Sequence, residues 1–126
     1  MRRSLVLMLI GSLMLLTAAC APAQPAAAAK STAPAQQLTI TATEMAFSPT
    51  TLEAKAGQPV TLTVKNNGVL EHNWQATIGN ETILVTAQPK QSGSRTFTPQ
   101  TPGTYKVICN VPGHEQAGMV ATLVVK

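Results

Sequence analysis

Thr104-Tyr105-Lys106-Val107-Ile108-Cys109-Asn110-Val111-Pro112-Gly113-His114-Glu115-Gln116-Ala117-Gly118-Met119-Val120-Ala121-Thr122-Leu123-Val124-Val125 is the stretch that decides the fold. Two apolar runs rich in β-branched residues flank a Pro-Gly turn, which is the pattern of two strands joined by a loop. Upstream, Val60-Thr61-Leu62-Thr63-Val64-Lys65 alternates cleanly, with the even positions apolar and the odd ones polar. A period of two marks a strand with one face on a core. Leu38-Thr39-Ile40-Thr41 and Thr51 to Lys55 repeat the theme around turns at Ser48-Pro49 and Ala56-Gly57-Gln58-Pro59. Asn66-Asn67-Gly68 breaks the alternating strand. Asn73 to Ile78, Thr82 to Thr86 and Arg95 to Phe97 are further strand candidates. No segment carries a helical period, and Glu115 to Gly118 has room for one helical turn at most. Seven to eight short strands with regular turn signals predict an all-β fold, an antiparallel two-sheet sandwich.

The loop of the opening stretch carries chemistry. Cys109, His114 and Met119 stand at a C-x4-H-x4-M spacing, and the other histidine of the chain, His72, lies far upstream. Two imidazoles, one thiolate and one thioether form the donor set of a mononuclear copper electron-transfer site with a weak axial methionine. Thiolate and thioether favour Cu(I), while imidazole accepts either oxidation state. Each residue alone has an ordinary reading. A strand cysteine is commonly a small buried apolar group, and a methionine commonly packing. A zinc site from two histidines, a cysteine and water is the nearer competitor. Methionine is a poor zinc ligand, however, and the chain has no aspartate. Glu71 and Glu115 adjoin the histidines. A cysteine nucleophile is weakly supported, because no oxyanion-like turn accompanies Cys109. Enzymes of the multicopper type need more domains and more histidines than the two present, so the expectation is a protein that is not an enzyme.

Composition and charge narrow the setting. The 126 residues hold one domain. Arg2 and Arg3, followed by the apolar run Ser4 to Leu16, have the form of an export signal over residues 1–20. The run is shorter than the ~20 residues of a membrane-spanning helix. Leu16-Thr17-Ala18-Ala19-Cys20 resembles the bacterial lipoprotein signal, whose cysteine is acylated. Thr17 departs from it, occupying the place where that pattern prefers leucine. Ordinary cleavage between Ala19 and Ala23 is the alternative. Residues 21–36 are rich in Ala, Pro and Gln and read as a tether, leaving 37–126 as the folded domain. From Cys20 onward six lysines and one arginine face five glutamates, a balance of +2. So weak a charge, with no basic run interleaved with aromatics, gives no reason to expect nucleic acid. Cys20 and Cys109 are the chain's two cysteines. If Cys20 is acylated or removed, Cys109 is unpaired outside the cytoplasm, where a free thiol is at risk of oxidation. Metal ligation gives it a reason to be there.

At these residues the chain resembles the cupredoxins, the small blue copper proteins. The Cys109-x-x-Pro112-Gly113-His114-x-x-x-Gly118-Met119 segment is closest to the auracyanin, rusticyanin and sulfocyanin type. His72-Asn73-Trp74 resembles the first-histidine motif. Phe47-Ser48-Pro49, Gly57-Gln58-Pro59-Val60 and Val64-Lys65-Asn66 fit the front half. The resemblance implies a Greek-key sandwich holding one type 1 copper per chain. His72, Cys109 and His114 would be its strong ligands, the histidines through Nδ1, and Met119 its weak axial one. Asn73 would support the ligand loops near the cysteine sulfur. The edge of His114 would be the electron port, ringed by Val69, Leu70, Val111, Pro112 and Ala117. Val69 and Leu70 could equally be core. Ala121 stands where relatives often have glycine, and Glu71 is an unusual charge beside the first histidine. The implied function is one-electron transfer, with copper cycling between Cu(II) and Cu(I). The expected partners are a cytochrome, a membrane oxidase or a copper enzyme. A copper-binding or copper-delivery protein without electron-transfer duty is the alternative. The expected form is a monomer, exported to the periplasm or the outer face of the cytoplasmic membrane and lipid-anchored there.

Overall fold

The computed structural model describes residues 33–126, so the export signal and most of the tether lie outside the described residues. The described chain forms nine strands: β1 (Gln36–Thr43), β2 (Ala46–Ser48), β3 (Thr51–Ala54), β4 (Val60–Asn66), β5 (His72–Ile78), β6 (Glu81–Ala87), β7 (Ser92–Phe97), β8 (Gly103–Ile108) and β9 (Val120–Val125). They make two sheets in the orders β2-β1-β4-β7 and β3-β9-β8-β5-β6. The sandwich expected from the alternating runs is therefore present. It differs from the sequence expectation in two details.

The strand count is nine rather than seven or eight, because the segment before Ser48-Pro49 pairs with the end of β1 over Thr41↔Ser48 to Thr43↔Ala46. Three residues are too short for periodicity to reveal. Neither sheet is purely antiparallel. β1 runs parallel to β4 over Gln36↔Val60 to Ala42↔Asn66, and β3 runs parallel to β9 over Thr51↔Thr122 to Ala54↔Val125. The parallel pairs join strands that are not consecutive in the chain, so no hairpin turn signals them.

Side-chain parity explains how the fold places its functional end. The buried rows are Val60, Leu62, Val64 and Asn66 on β4, then His72, Trp74, Ala76 and Ile78 on β5. On the opening stretch, Val107 and Cys109 continue one inward row, and Met119, Ala121, Leu123 and Val125 another. Period-two side-chain alternation thus puts His72 at the start of the β5 row and carries the β8 and β9 rows one residue past the strands to Cys109 and Met119. Three of the four expected ligands are the end members of hydrophobic rows, gathered at one end of the sandwich. Trp74, fully buried, fills the space behind them and lies 6.3 Å from Phe97 between ring centroids.

Candidate metal centre

Cys109 and Met119 face each other across the last rung of the β8–β9 ladder. Ile108 pairs with Val120, and Cys109 N–H donates to Met119 O at 3.1 Å. The intervening loop folds back on itself through His114 N–H to Val111 O at 3.0 Å, Ala117 N–H to Gly113 O at 3.0 Å and Met119 N–H to His114 O at 3.0 Å. Gly113 and Gly118 adopt φ of 86° and 94°, conformations that suit glycine, and these tighten the loop on either side of His114. The single helical turn allowed for residues 115–118 is realised as a chain of turns.

His72 arrives from the opposite direction. Asn66, a buried polar residue at the end of the β4 row, donates from Nδ2 to Leu70 O at 2.7 Å and to Ala87 O at 2.9 Å. Its Oδ1 accepts from Gly68 N–H at 2.8 Å. One side chain thus pins both ends of the loop that delivers His72, satisfying backbone groups that burial would otherwise leave unpaired.

The ligand atoms of His72, Cys109 and His114 all lie within 4.8 Å of one another, and all three residues are buried. His72 Nδ1 and His114 Nδ1 are 3.2 Å apart, and Cys109 Sγ is 3.4 Å from His114 Nδ1. Metal–ligand bonds of about 2.0–2.3 Å let donors at such separations surround one ion. Two imidazole nitrogens and a sulfur converging in a dry interior also need something between them. A single proton relieves the repulsion between one pair only. Soft and borderline donors, the thiolate and two imidazoles with the fully buried Met119 on the same loop, suit copper. No carboxylate joins the cluster among the described residues. Glu115 pairs with Lys106 at 2.7 Å and Glu71 bonds to Gln88, so each carboxylate has a partner outside the cluster.

Burial, ahead of the neighbouring charge of His114, holds the His72 imidazole below its ordinary pKa, against an opposing pull from Glu44. A neutral ring is the form that can donate a lone pair to a metal.

Asn73, the second residue of β5, lies beside the Cys109 sulfur. Its N–H points at Cys109 Sγ at 3.4 Å, while its side chain bonds reciprocally with Asn110. Asn73 Nδ2 donates to Asn110 Oδ1 at 2.6 Å, and Asn110 N–H donates to Asn73 Oδ1 at 2.8 Å. β5 and the ligand loop are stitched together directly beside the sulfur. An N–H aimed at a thiolate stabilises its negative charge. Val69 and Leu70 are 68% and 43% exposed, which settles them as surface rather than core. Pro112 and Ala117 are also exposed and Val111 is half-buried, while His114 shows only an edge, at 4%.

The roles of three residues of this region are not assigned by the sequence. Asn66 and Asn110 act through contacts 21 and 37 residues away. Glu44, in the two-residue turn between β1 and β2, accepts a hydrogen bond from Val69 N–H at 2.5 Å. That bond, ahead of a second one from the backbone of Glu44 itself, holds the Glu44 carboxyl below its ordinary value. A buried polar residue ending an apolar row, as at Asn66, is the one hint periodicity offers.

Comparison with known proteins agrees with this geometry. The family model of the cupredoxin-like domain matches residues 8–125. Auracyanin-A of Chloroflexus aurantiacus is 33% identical over 100 residues, covering 56% of this chain and 62% of that protein. Auracyanin-B of the same organism is 30% identical over 111 residues, covering 64% of this chain and 47% of that protein. The chain thus spans less than two thirds of the length of these curated relatives. A solved structure of auracyanin A, described as a "blue" copper protein, superposes with a TM-score of 0.60 at 29% identity over 71% of this chain and 99% of that one. A fold, a donor set and a sequence model that agree lead to one assignment: the chain belongs to the cupredoxin-like domain family and carries its type 1 copper site.

Proposed function

We propose that the protein is a one-electron carrier, its copper cycling between Cu(II) and Cu(I), and that it catalyses no reaction of its own. The observation that carries this reading is burial: His72, Cys109 and Met119 are fully covered and His114 is 4% exposed. A substrate has no open approach to the metal, whereas an electron needs only a thin barrier. Bound copper supplies a reversible one-electron change. The chain's own residues hold the donors fixed, because Asn66, Asn73 and Asn110 tie both ligand-bearing segments to the sheets. A cage that cannot relax between oxidation states keeps the rearrangement on electron transfer small.

The exposed apolar residues Val69, Leu70, Pro112 and Ala117, with the half-buried Val111, form the surface on which a redox partner would dock over His114. A mature balance of +2 favours apolar contact over strong electrostatic steering. The same rigidity weighs against a copper-delivery role, which needs easy release. One equivalent of Cu(II) added to the apo-protein is expected to give an intense thiolate-to-copper band, bleached by ascorbate and restored by ferricyanide. A colourless product, or copper lost on reduction, would refute the carrier reading.

An acylated Cys20 and a tether that ends where β1 begins at Gln36, one residue earlier than the sequence reading placed the domain, complete the proposal. They would anchor an exported domain at the membrane and let it swing between a membrane donor and an acceptor. Two acyl signals give stable anchoring where one does not. Cys20→Ala is expected to move the protein from the membrane fraction to the soluble fraction; wild type already soluble after export would overturn the anchor.

A further inference from the structure

His72 Nε2 is buried and has no hydrogen-bond partner among the described residues. When Nδ1 of that ring binds metal, Nε2 carries the proton, so the site contains a buried donor with nothing to receive it. Such a donor is costly. On a metal-ligating histidine it ordinarily meets a carboxylate or carbonyl that fixes the ring. One carboxylate is placed to serve. Gly68 is buried, and a Cβ added there would lie 2.4 Å from Glu44 Oε1 and 3.0 Å from His72 Nε2. Both atoms therefore border the same spot, which a side chain at position 68 would occupy. Glu44 Oε1 is also anchored on the loop beside the site by Val69 N–H at 2.5 Å.

The turn that presents Glu44 has its next residue, Met45, at φ 60°. This left-handed backbone is unfavourable for a non-glycine side chain and is held only where the surroundings require it.

Resting on the assignment of His72 as a copper ligand, we propose that Glu44 is its positioning residue. The carboxylate takes up the Nε2–H side of the ring and places a negative charge behind the metal. Its bond to Val69 fixes the same loop that borders the docking surface. A negative charge near copper stabilises Cu(II) over Cu(I), an effect moderated by solvent because the Glu44 residue is exposed. Gly68 is needed for the approach.

The test uses the copper-loaded full-length protein with Glu44→Gln and Glu44→Ala. Glutamine keeps a side-chain oxygen for Val69 N–H and beside the Nε2–H edge of His72 but removes the charge, so a purely structural role predicts no change in potential. The expected results are a midpoint potential shifted upward in E44Q, and a His72 Nε2–H proton resonance in the Cu(I) form that persists in wild type and E44Q but is lost to solvent exchange in E44A. An unmoved potential in E44Q, or an Nε2–H resonance that persists in E44A, would overturn the proposal. A wild-type protein lacking the thiolate-to-copper band would refute the copper site itself, an outcome distinct from a coloured wild type indifferent to Glu44.

Discussion

Cys109→Ser is expected to abolish the thiolate-to-copper absorption completely while leaving the sandwich folded. The band requires a sulfur bound to the metal, and Cys109 is the one cysteine among the described residues. Serine is close in size, and the backbone bonds that close the loop, Cys109 N–H to Met119 O and Met119 N–H to His114 O, do not involve the side chain. The far-ultraviolet dichroism should therefore remain that of a β-protein. The cost to the apo fold should be small, that of exchanging a buried thiol for a hydroxyl that Asn73 N–H and His114 Nδ1 can still approach. Copper affinity should fall steeply, because a hydroxyl is a poor ligand for the soft Cu(I) state. Absorption and dichroism spectra of the copper-treated variant check both halves, and a retained band would refute Cys109 as the thiolate.

Trp74→Ala is expected to be the most destabilising single change in the core, by about 3–5 kcal/mol in the apo-protein. Trp74 is the largest fully buried side chain and lies on β5 two residues after His72, in the same inward row. Its removal leaves a cavity directly behind the ligands, and a rigid sandwich collapses into such a space only in part. The indole Nε1 has no hydrogen-bond partner among the described residues, so part of the loss is offset and the lower end of the range is expected. Copper, held more tightly by the assembled site than by an unfolded chain, should recover a portion of the loss by mass action. Urea denaturation of apo and copper-loaded variants measures both effects. A loss below about 1 kcal/mol would mean that Trp74 does not hold up the site from behind.

These expectations show what the chain's letters convey and what they leave out. The four donors are legible because the fold demands local regularities at them. Cys109 and Met119 lie at the inner-row positions where β8 and β9 meet, and Pro112-Gly113 makes the turn between them. Clean alternation in β4 likewise exposes its buried face, since one side of the strand meets only core. The parallel pairings β1–β4 and β3–β9 are not legible, because each unites strands with another element between them in sequence. β2 is hidden by its three-residue length. Val69 and Leu70 could not be assigned to core or surface from residue type, since exposure there is decided by a loop that Asn66 and Glu44 hold in place. Asn66, Asn110 and Glu44 share one difficulty. Their roles depend on partners brought close by folding, and a polar residue at a strand end or in a turn has many ordinary reasons to be there.

The site is best understood as the end of the hydrophobic core rather than an addition to it. Inward rows that supply Val, Leu and Trp to the interior supply His72, Cys109 and Met119 at their termini, and the Pro-Gly loop adds His114. Polar ties then fix the two ligand-bearing segments, Asn66 holding the one and the Asn73–Asn110 pair joining it to the other. In this arrangement the stability of the fold and the rigidity of the metal's surroundings are one property, which is why a carrier and not a releasing site is proposed.

The measurement that addresses this most directly is voltammetry of the copper-loaded protein through repeated cycles. A buried, fixed site that serves electron transfer predicts one reversible one-electron wave, undiminished from cycle to cycle, with one copper per chain retained throughout. An irreversible wave, or copper appearing in solution on reduction, would contradict it.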